Sequence, residues 1–430
     1  MNASVRQEGV IKNRFFWLGL FIFFGFTLSW IFGHQGVGNN TRLTFQHLTT
    51  KDGLSNNAVT CILRDHRGFM WFGTTDGLNR FDGSSFKIYT PGPGNPYSLN
   101  SNYIRSLCQD RRGVLWVGTQ GGGLNRFDPK SERFTHYCHN PDDPYSLGNN
   151  VVLTIYEDSK DILWIGTWGG GLNRFDREKN RFIRYLHRPN DPNSLDSNNI
   201  AAIHEDRQGG LWIGTDRGLN RFNREKNLFI RCQYRPGDLK NPDLNNIMAI
   251  YEDRKGVLWI GSKEGGLNRF DREKEQFIPY KNLPLHSKGL NDNEIYSIVE
   301  DQSGILWIGT NNGLNGLDPA EEGEPAIHYQ HHPGDSGSLS NNYVNFLYQD
   351  PQGILWVGTW GGGVNILDKQ SVKFHHYQAD PGEANSLKND IVNAIYQDPA
   401  GILWIGTGGG GLTEFDRKKK SIHPLPGPAR

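Results

Sequence analysis

The chain has 430 residues, enough for a large core, and its 46 Lys+Arg balance 46 Asp+Glu for a formal charge of zero. The longest basic run surrounds Lys418-Lys419-Lys420, so charge gives no basis for nucleic-acid binding. The 53 Gly and 12 Trp, set among β-branched residues and frequent turn signals, exclude a helical body and point to an all-β class.

In chain order, residues 1–14 read as a cytoplasmic N-terminus carrying Arg6, Lys12 and Arg14. An apolar run from Phe15 to Phe32 follows, relieved only by Thr27, Ser29 and glycines, and is just long enough to span a bilayer as a helix. Positive charge ahead of it places the N-terminus inside and sends the remainder outward. Residues 15–33 are therefore expected to be an uncleaved transmembrane signal anchor, with a cleaved signal peptide as the alternative. Residues 34–42 form a linker, 43–425 the body and 426–430 a tail. The body is expected in the periplasm, anchored to the inner membrane, or exported if the segment is cut.

The body is a repeat. Trp71, Trp116, Trp164, Trp212, Trp259, Trp307, Trp356 and Trp404 recur at spacings from 45 (Trp71 to Trp116) to 49 (Trp307 to Trp356). Six residues before each stands an Asp: Asp65, Asp110, Asp158, Asp206, Asp253, Asp301, Asp350 and Asp398. Two residues after each stands a Gly, from Gly73 to Gly406. Within one copy, "VVLTIYE" predicts an inner strand, Asp-x-x-Gly a tight turn, and "ILWIGT", "LNRFD" and "RFIRYL" three further strands. Four antiparallel strands per unit predict a β-propeller blade, which needs neighbours to cover both its faces. Eight Trp copies favour an eight-bladed ring. A segment from Leu43 to Asn57, "LTFQHLTTKDGLSNN", looks like an outer strand plus linker without a blade of its own, suited to locking the ring. Yet the final copy has its own outer strand, "SIHPLP", which leaves one too many. Seven blades plus one overflow blade is the alternative.

These residues resemble the two-component regulator propeller repeat. "GLSNNAVTCILRDHRGFMWFGTTDGLNRFDG" looks like its opening blade, and "GILWVGTWGGGVNILD" and "GILWIGTGGGGLTEFD" like inner copies. The resemblance covers Leu43 to about Leu425. It implies the periplasmic sensor region of a hybrid or classical histidine kinase, and in some members of a diguanylate cyclase. Many members respond to breakdown products of complex carbohydrate. This sequence shows no kinase segment, so the resemblance supports a sensor and leaves signalling output to a partner or a missing segment.

The face carrying the post-Trp loops and the inter-blade linkers is the expected ligand face. Its candidates are Trp168, Trp360, Gln120, Asp216, Arg217, Lys263, Glu264, Asn311 and Asn312, the two indoles offering flat plates for a sugar ring. Against this stands packing of Trp168 and Trp360 on neighbouring linkers. The residues Asn57, Asn102, Asn150, Asn198, Asn245, Asn293 and Asn342, with Asp390 in the last copy, read first as local turn formers at the strand starts. The repeat Asp residues read as structural turn formers on the opposite face. Glycine runs such as Gly169-Gly170-Gly171 lack the following helix a phosphate loop needs. The pairs His331-His332 and His375-His376 point to opposite faces of a strand, so no metal is expected, and no cofactor. Cys61, Cys108, Cys138 and Cys232 have no CxxC spacing and read as single buried thiols, with a disulfide open to an oxidising compartment.

The reading is thus an extracytoplasmic, non-catalytic sensing propeller of a two-component system, with a small-molecule or glycan ligand, a signalling partner and membrane contact through residues 15–33. A protein-interaction scaffold is one alternative and a glycan-active or lyase-type propeller enzyme another. The enzyme would require an acid pair in a unique loop cluster, whereas the carboxylates here repeat.

Overall fold

The computed structural model describes residues 43–232, 245–280, 289–319, 326–367, 377–416 (other than 381 and 384) and 421–425. The expected membrane segment at 15–33 lies outside them, and among the described residues no helix is long and apolar enough to cross a membrane. Apart from one 3-10 turn at Thr50–Asp52, the described secondary structure is β, in eight four-stranded antiparallel sheets.

Blade 3 shows why the repeat folds this way. Its strands are Val152–Glu157, Leu163–Thr167, Leu172–Asp176 and Arg181–Tyr185 from inside outwards. The second strand, Leu163–Thr167, is buried along its whole length because both faces meet a neighbour, so it reads as continuously apolar. The outer strand is only partly buried. At the first turn the Asp158 carboxylate has two tasks. Oδ1 accepts the backbone N–H groups of Lys160 (2.9 Å) and Ile162 (3.0 Å), closing the turn, while Oδ2 accepts the Trp164 indole N–H at 2.7 Å. The same Asp-to-Trp bond recurs in all eight sheets, for example 2.9 Å from Trp71 to Asp65 and 3.0 Å from Trp404 to Asp398. The repeat Asp therefore forms the turn, as expected, and also fixes the tryptophan. In three successive blades an Arg reaches back to the preceding blade's Asp. Arg177 contacts Asp110 (2.8 Å) and Glu157 (2.6 Å), Arg224 contacts Asp158 and Glu205, and Arg272 contacts Asp206 and Glu252.

Blades interlock through a knob and a notch. Trp164 packs with Ile200, Ile203, Leu211 and Phe222 of blade 4, its ring 5.4 Å from Phe222 in an edge-to-face arrangement. Beside it, Gly166 leaves the space into which Ile200 fits. A Cβ on Gly166 would lie 2.6 Å from Thr154 Cγ2 and 2.7 Å from Ile200 Cγ2. The same crowding links Gly73 to Ile104, Gly118 to Val152, Gly214 to Ile247, Gly261 to Ile295, Gly309 to Val344 and Gly358 to Val59.

That last contact closes the ring. Val59 belongs to blade 1 and Gly358 to blade 7, and a shared core of Val59, Ile62, Phe72, Trp356 and Val364 fills the seam. Inner strand Val344–Gln349 lies beside Val59–Arg64 as every other neighbouring pair does. The N-terminal strand Gln46–Leu48 supplies the outer strand of blade 7, pairing Gln46 with Ile366, His47 with Asn365 and Leu48 with Val364. Eight sheets are present, one per Trp copy, and the ring contacts run through seven of them. Within residues 43–367 the blades thus close as a ring of seven, and this accounts for the surplus outer strand. The eighth sheet, within residues 370–430, is a separate unit with a small core of Leu387, Ile405, Phe415 and Ile422. Its inner strand Val392–Gln397 is exposed, Ile395 by 63 %, and nothing approaches a Cβ at Gly406 closer than Ala394 at 3.8 Å.

The four cysteines are free thiols; Cys61 is buried, Cys108 and Cys232 are half-buried and Cys138 is exposed, which corrects the expectation that all are buried. His139, His187 and His331 are structural. Each ring Nδ1 lies 2.7 Å from a leucine carbonyl of its own linker, Leu147, Leu195 and Leu339 respectively. His375-His376 lies outside the described residues.

Two outcomes are expected. Gly166→Ala should overpack the notch and lower stability by roughly 1–3 kcal/mol, read as a fall in Tm, and an unchanged Tm would contradict the interlock. Burial opposes the Asp158 charge, yet the hydrogen bonds from Trp164 and Arg224 outweigh it and hold the carboxyl below its ordinary range, and the same holds for Asp110 with Trp116 and Arg177. A depressed folded value stabilises fully above the unfolded value of about 3.9 and is lost as pH falls through the folded one. Tm should therefore drop on acidification below about pH 4, and Asp158→Asn should flatten that slope.

Candidate functional site

The axis of the ring holds a cavity of about 420 Å³, and each inner strand contributes to it in the same way. In blade 3 Val152 pairs with Thr167, but the next pair is Thr154 with Gly166, so Leu153 is an extra residue left out of the ladder. The register shifts at the same place in every other ring blade. Such a bulge re-aims a side chain, here towards the axis. Seven bulged residues, Thr60, Arg105, Leu153, Ala201, Met248, Tyr296 and Asn345, thus form one tier of the cavity wall. Below it Cys61, Ser106, Thr154, Ala202, Ala249, Ser297 and Phe346 narrow the channel, and Leu107, Ile155, Ile203, Ile250 and Ile298 form an apolar floor. Burial pushes the Cys61 thiol up to about 12, so it stays protonated and is not a nucleophile.

The rim above the tier has two sides. On one, Tyr296 and Tyr343 stand with centroids 4.9 Å apart, Tyr343 stacks on Trp360 at 5.9 Å, and Trp360 reaches Tyr103 at 6.4 Å. This aromatic arc spans blades 6 to 2, passing over blade 1, where the small Ala58 bridges Trp360. On the other side are Trp168, 54 % exposed, and a polar chain beside it. Asn199 Oδ1 accepts the Gly169 N–H at 2.8 Å, and Asn199 Nδ2 donates to Asp216 Oδ2 at 2.6 Å. Asp216 Oδ1 is buried without a hydrogen-bond partner. Arg105 and Asp216 are the one cation and the one carboxylate among the lining residues.

Of the residues singled out from the sequence, Trp168, Trp360 and Asp216 meet at this mouth. Gln120, Arg217, Lys263, Glu264, Asn311 and Asn312 do not line it and are exposed. Asn312 is tied to Asn291 and Gln330. The linker asparagines close loops rather than surround a ligand: Asn150, Asn198 and Asn342 each accept the backbone N–H eleven residues earlier, from His139, His187 and His331. Their successors Asn199 and Asn246 are the ones that line the cavity. Sequence reading missed these, together with Arg105, Met248, Tyr296 and Asn345. The available signal was the position directly after the fixed β-branched residue of each inner strand, which runs from Thr and Arg through Leu, Ala and Met to Tyr and Asn. Among the described residues no group of His, Cys, Asp and Glu is placed to hold a metal.

The family model of the two component regulator propeller matches eight segments: residues 53–76, 98–121, 146–169, 194–217, 242–264, 289–312, 338–361 and 386–409. The extracellular domain of a protein assigned as a hybrid two-component system from B. thetaiotaomicron is similar at 31% identity and a TM-score of 0.67. That match covers 89% of this chain and 49% of the other. A second such domain from the same organism matches at 23% identity and a TM-score of 0.62, over 87% of this chain and 46% of the other, and shows the fold alone. The chain thus spans about half the length of these relatives. A histidine kinase of Formosa agariphila is 44% identical over 61 residues, 14% of this chain and 4% of that protein. The virginiamycin B lyase of Staphylococcus aureus, an enzyme, shares the fold at 14% identity and a TM-score of 0.54, over 76% of this chain and 98% of that one.

Trp71, Trp116, Trp164, Trp212, Trp259, Trp307 and Trp356 are buried in ring-blade cores, whereas Trp168 and Trp360 border solvent. Replacing both with Phe should remove a measurable part of the iodide-quenchable fluorescence and leave the buried emission in place. No change in the quenchable fraction would contradict an open mouth.

Proposed function

Since the chain belongs to the two-component regulator propeller family, we propose that it is the ligand-sensing, non-catalytic part of a two-component signalling system, with the channel mouth as its receptor site. The relatives are extracellular domains of such systems, which supports a propeller outside the cytoplasm with residues 15–33 as its membrane attachment and a histidine kinase as its output. The observation carrying the reading is the mouth itself. It joins two accessible indoles to a few directional polar groups above an apolar floor, the composition of a small-molecule site. An indole face suits the C–H face of a sugar, and Asn199, Asn246 and Asp216 suit its hydroxyls, so a saccharide is the ligand class the mouth fits. The lining has a single carboxylate, whereas acid–base cleavage draws on at least two cooperating groups, so binding accounts for the arrangement better than turnover.

The test is a thermal-shift and fluorescence titration of the full chain with neutral and acidic oligosaccharides. At least one should raise Tm and alter tryptophan emission. Trp168→Ala and Trp360→Ala should each weaken that binding more than about ten-fold, as truncation of a central aromatic contact does, with little change in the unliganded Tm. Binding that is indifferent to both substitutions would reject the mouth as the site.

A further inference from the structure

The seven bulged residues are not scattered around the axis by chemistry. In ring order, blades 3, 4 and 5 present Leu153, Ala201 and Met248, an apolar half, while blades 6, 7, 1 and 2 present Tyr296, Asn345, Thr60 and Arg105, a polar half. Within the polar half, two members are already committed to the seams. Thr60 Oγ1 donates to the Ile104 carbonyl at 2.7 Å, and Asn345 Nδ2 lies 3.2 Å from the Val59 carbonyl. Tyr296 donates its hydroxyl proton to Glu294 at 2.6 Å.

Arg105 differs. Its guanidinium stands 5.3 Å from the Tyr103 ring and donates once, to the Tyr103 hydroxyl at 3.2 Å. No ion pair joins it to a carboxylate among the described residues, although Arg177, Arg224 and Arg272 each hold two. A guanidinium has five N–H donors in a planar fork matched to a carboxylate or sulfate. A partly buried one with most donors unused, aimed into a cavity, is arranged to receive such a group. Two blades on, the partnerless Asp216 Oδ1 can only accept, and therefore calls for a hydroxyl donor on the same ligand.

Resting on the reading of the mouth as a saccharide receptor, we infer that its ligand is an acidic sugar. The anionic group sits on Arg105 beneath the aromatic arc, a hydroxyl donates to Asp216, and the apolar ring face lies over Leu153 and Met248. Selectivity is set by the bulged tier, whose side chains differ most in size, polarity and charge at constant backbone geometry. Carboxylate and sulfate would use the same fork.

The experiment compares matched pairs on the full chain by calorimetric titration: glucuronate-terminated against glucose-terminated disaccharides, and glucose 6-sulfate against glucose. The acidic member of at least one pair should bind more than ten-fold tighter, and which pair does so identifies carboxylate or sulfate. Arg105→Gln should lose about ten- to hundred-fold in that affinity, the range for hydrogen bonds to a charged group, while Arg105→Lys keeps part of it. Both should leave Tm unchanged, since Arg105 makes a single side-chain hydrogen bond. Equal affinity for acidic and neutral members, no response to any acidic member, or an acid preference that survives Arg105→Gln would overturn the inference. If neutral sugars still bind in a Trp360-dependent way, the receptor reading stands without it. If no saccharide binds at all, both fall.

Discussion

A single blade of this chain cannot keep its own faces dry, and the rest follows from how that is solved. Each second strand carries a tryptophan on one face beside a glycine, and the next blade's first β-branched residue enters the notch the glycine leaves. The Trp is held by its own blade's Asp, so a turn, a core ring and an inter-blade contact share one carboxylate. Seven such interlocks complete a circle when Val59 enters the notch of Gly358, and the N-terminal strand fastens the circle by hydrogen bonding to blade 7. The eighth sheet repeats the Asp-to-Trp bond and has a small core of its own, Leu387, Ile405, Phe415 and Ile422.

The rigidity this provides is put to use at the axis. One residue per inner strand is released from the ladder by a bulge, so its identity can change without disturbing the pairing on either side. Thr60, Arg105, Leu153, Ala201, Met248, Tyr296 and Asn345 share a backbone position and almost nothing else. Binding chemistry is thereby separated from folding chemistry. The blades stay alike because they must interlock, and the tier varies because its side chains stand outside the ladder, with Thr60 and Asn345 alone of the polar members tied to a seam.

Much of this was legible in the sequence. The eight Trp-centred copies, the Asp turn and the stray outer strand at the N-terminus all follow from spacing and period. The size of the ring was not, because the eighth copy obeys the same pattern as the other seven, and closure depends on which third strand accepts Gln46–Leu48. At the site, Trp168, Trp360 and Asp216 were visible as departures from the repeat in a loop. Arg105 and Met248 were not, because a strand recognised by its apolar residues does not reveal the bulge that turns them inwards. The linker asparagines are structural, as read: Asn198 closes its linker, while its neighbour Asn199, not singled out, lines the cavity. A slip of one along an extended chain is enough to exchange a structural face for a functional one.

Ring closure by seven interlocks is tested most directly by disulfide formation across the fastening strand, in a background whose four native cysteines are replaced by Ser. Gln46 lies opposite Ile366 in blade 7, and Glu414 holds the matching position in the eighth sheet, Ile366 pairing with Trp356 as Glu414 pairs with Trp404. Gln46→Cys with Ile366→Cys should oxidise to an intramolecular crosslink in the folded protein, whereas Gln46→Cys with Glu414→Cys should remain reduced. A crosslink to position 414 and none to 366 would mean that the strand fastens the eighth sheet, and a ring of seven would be excluded.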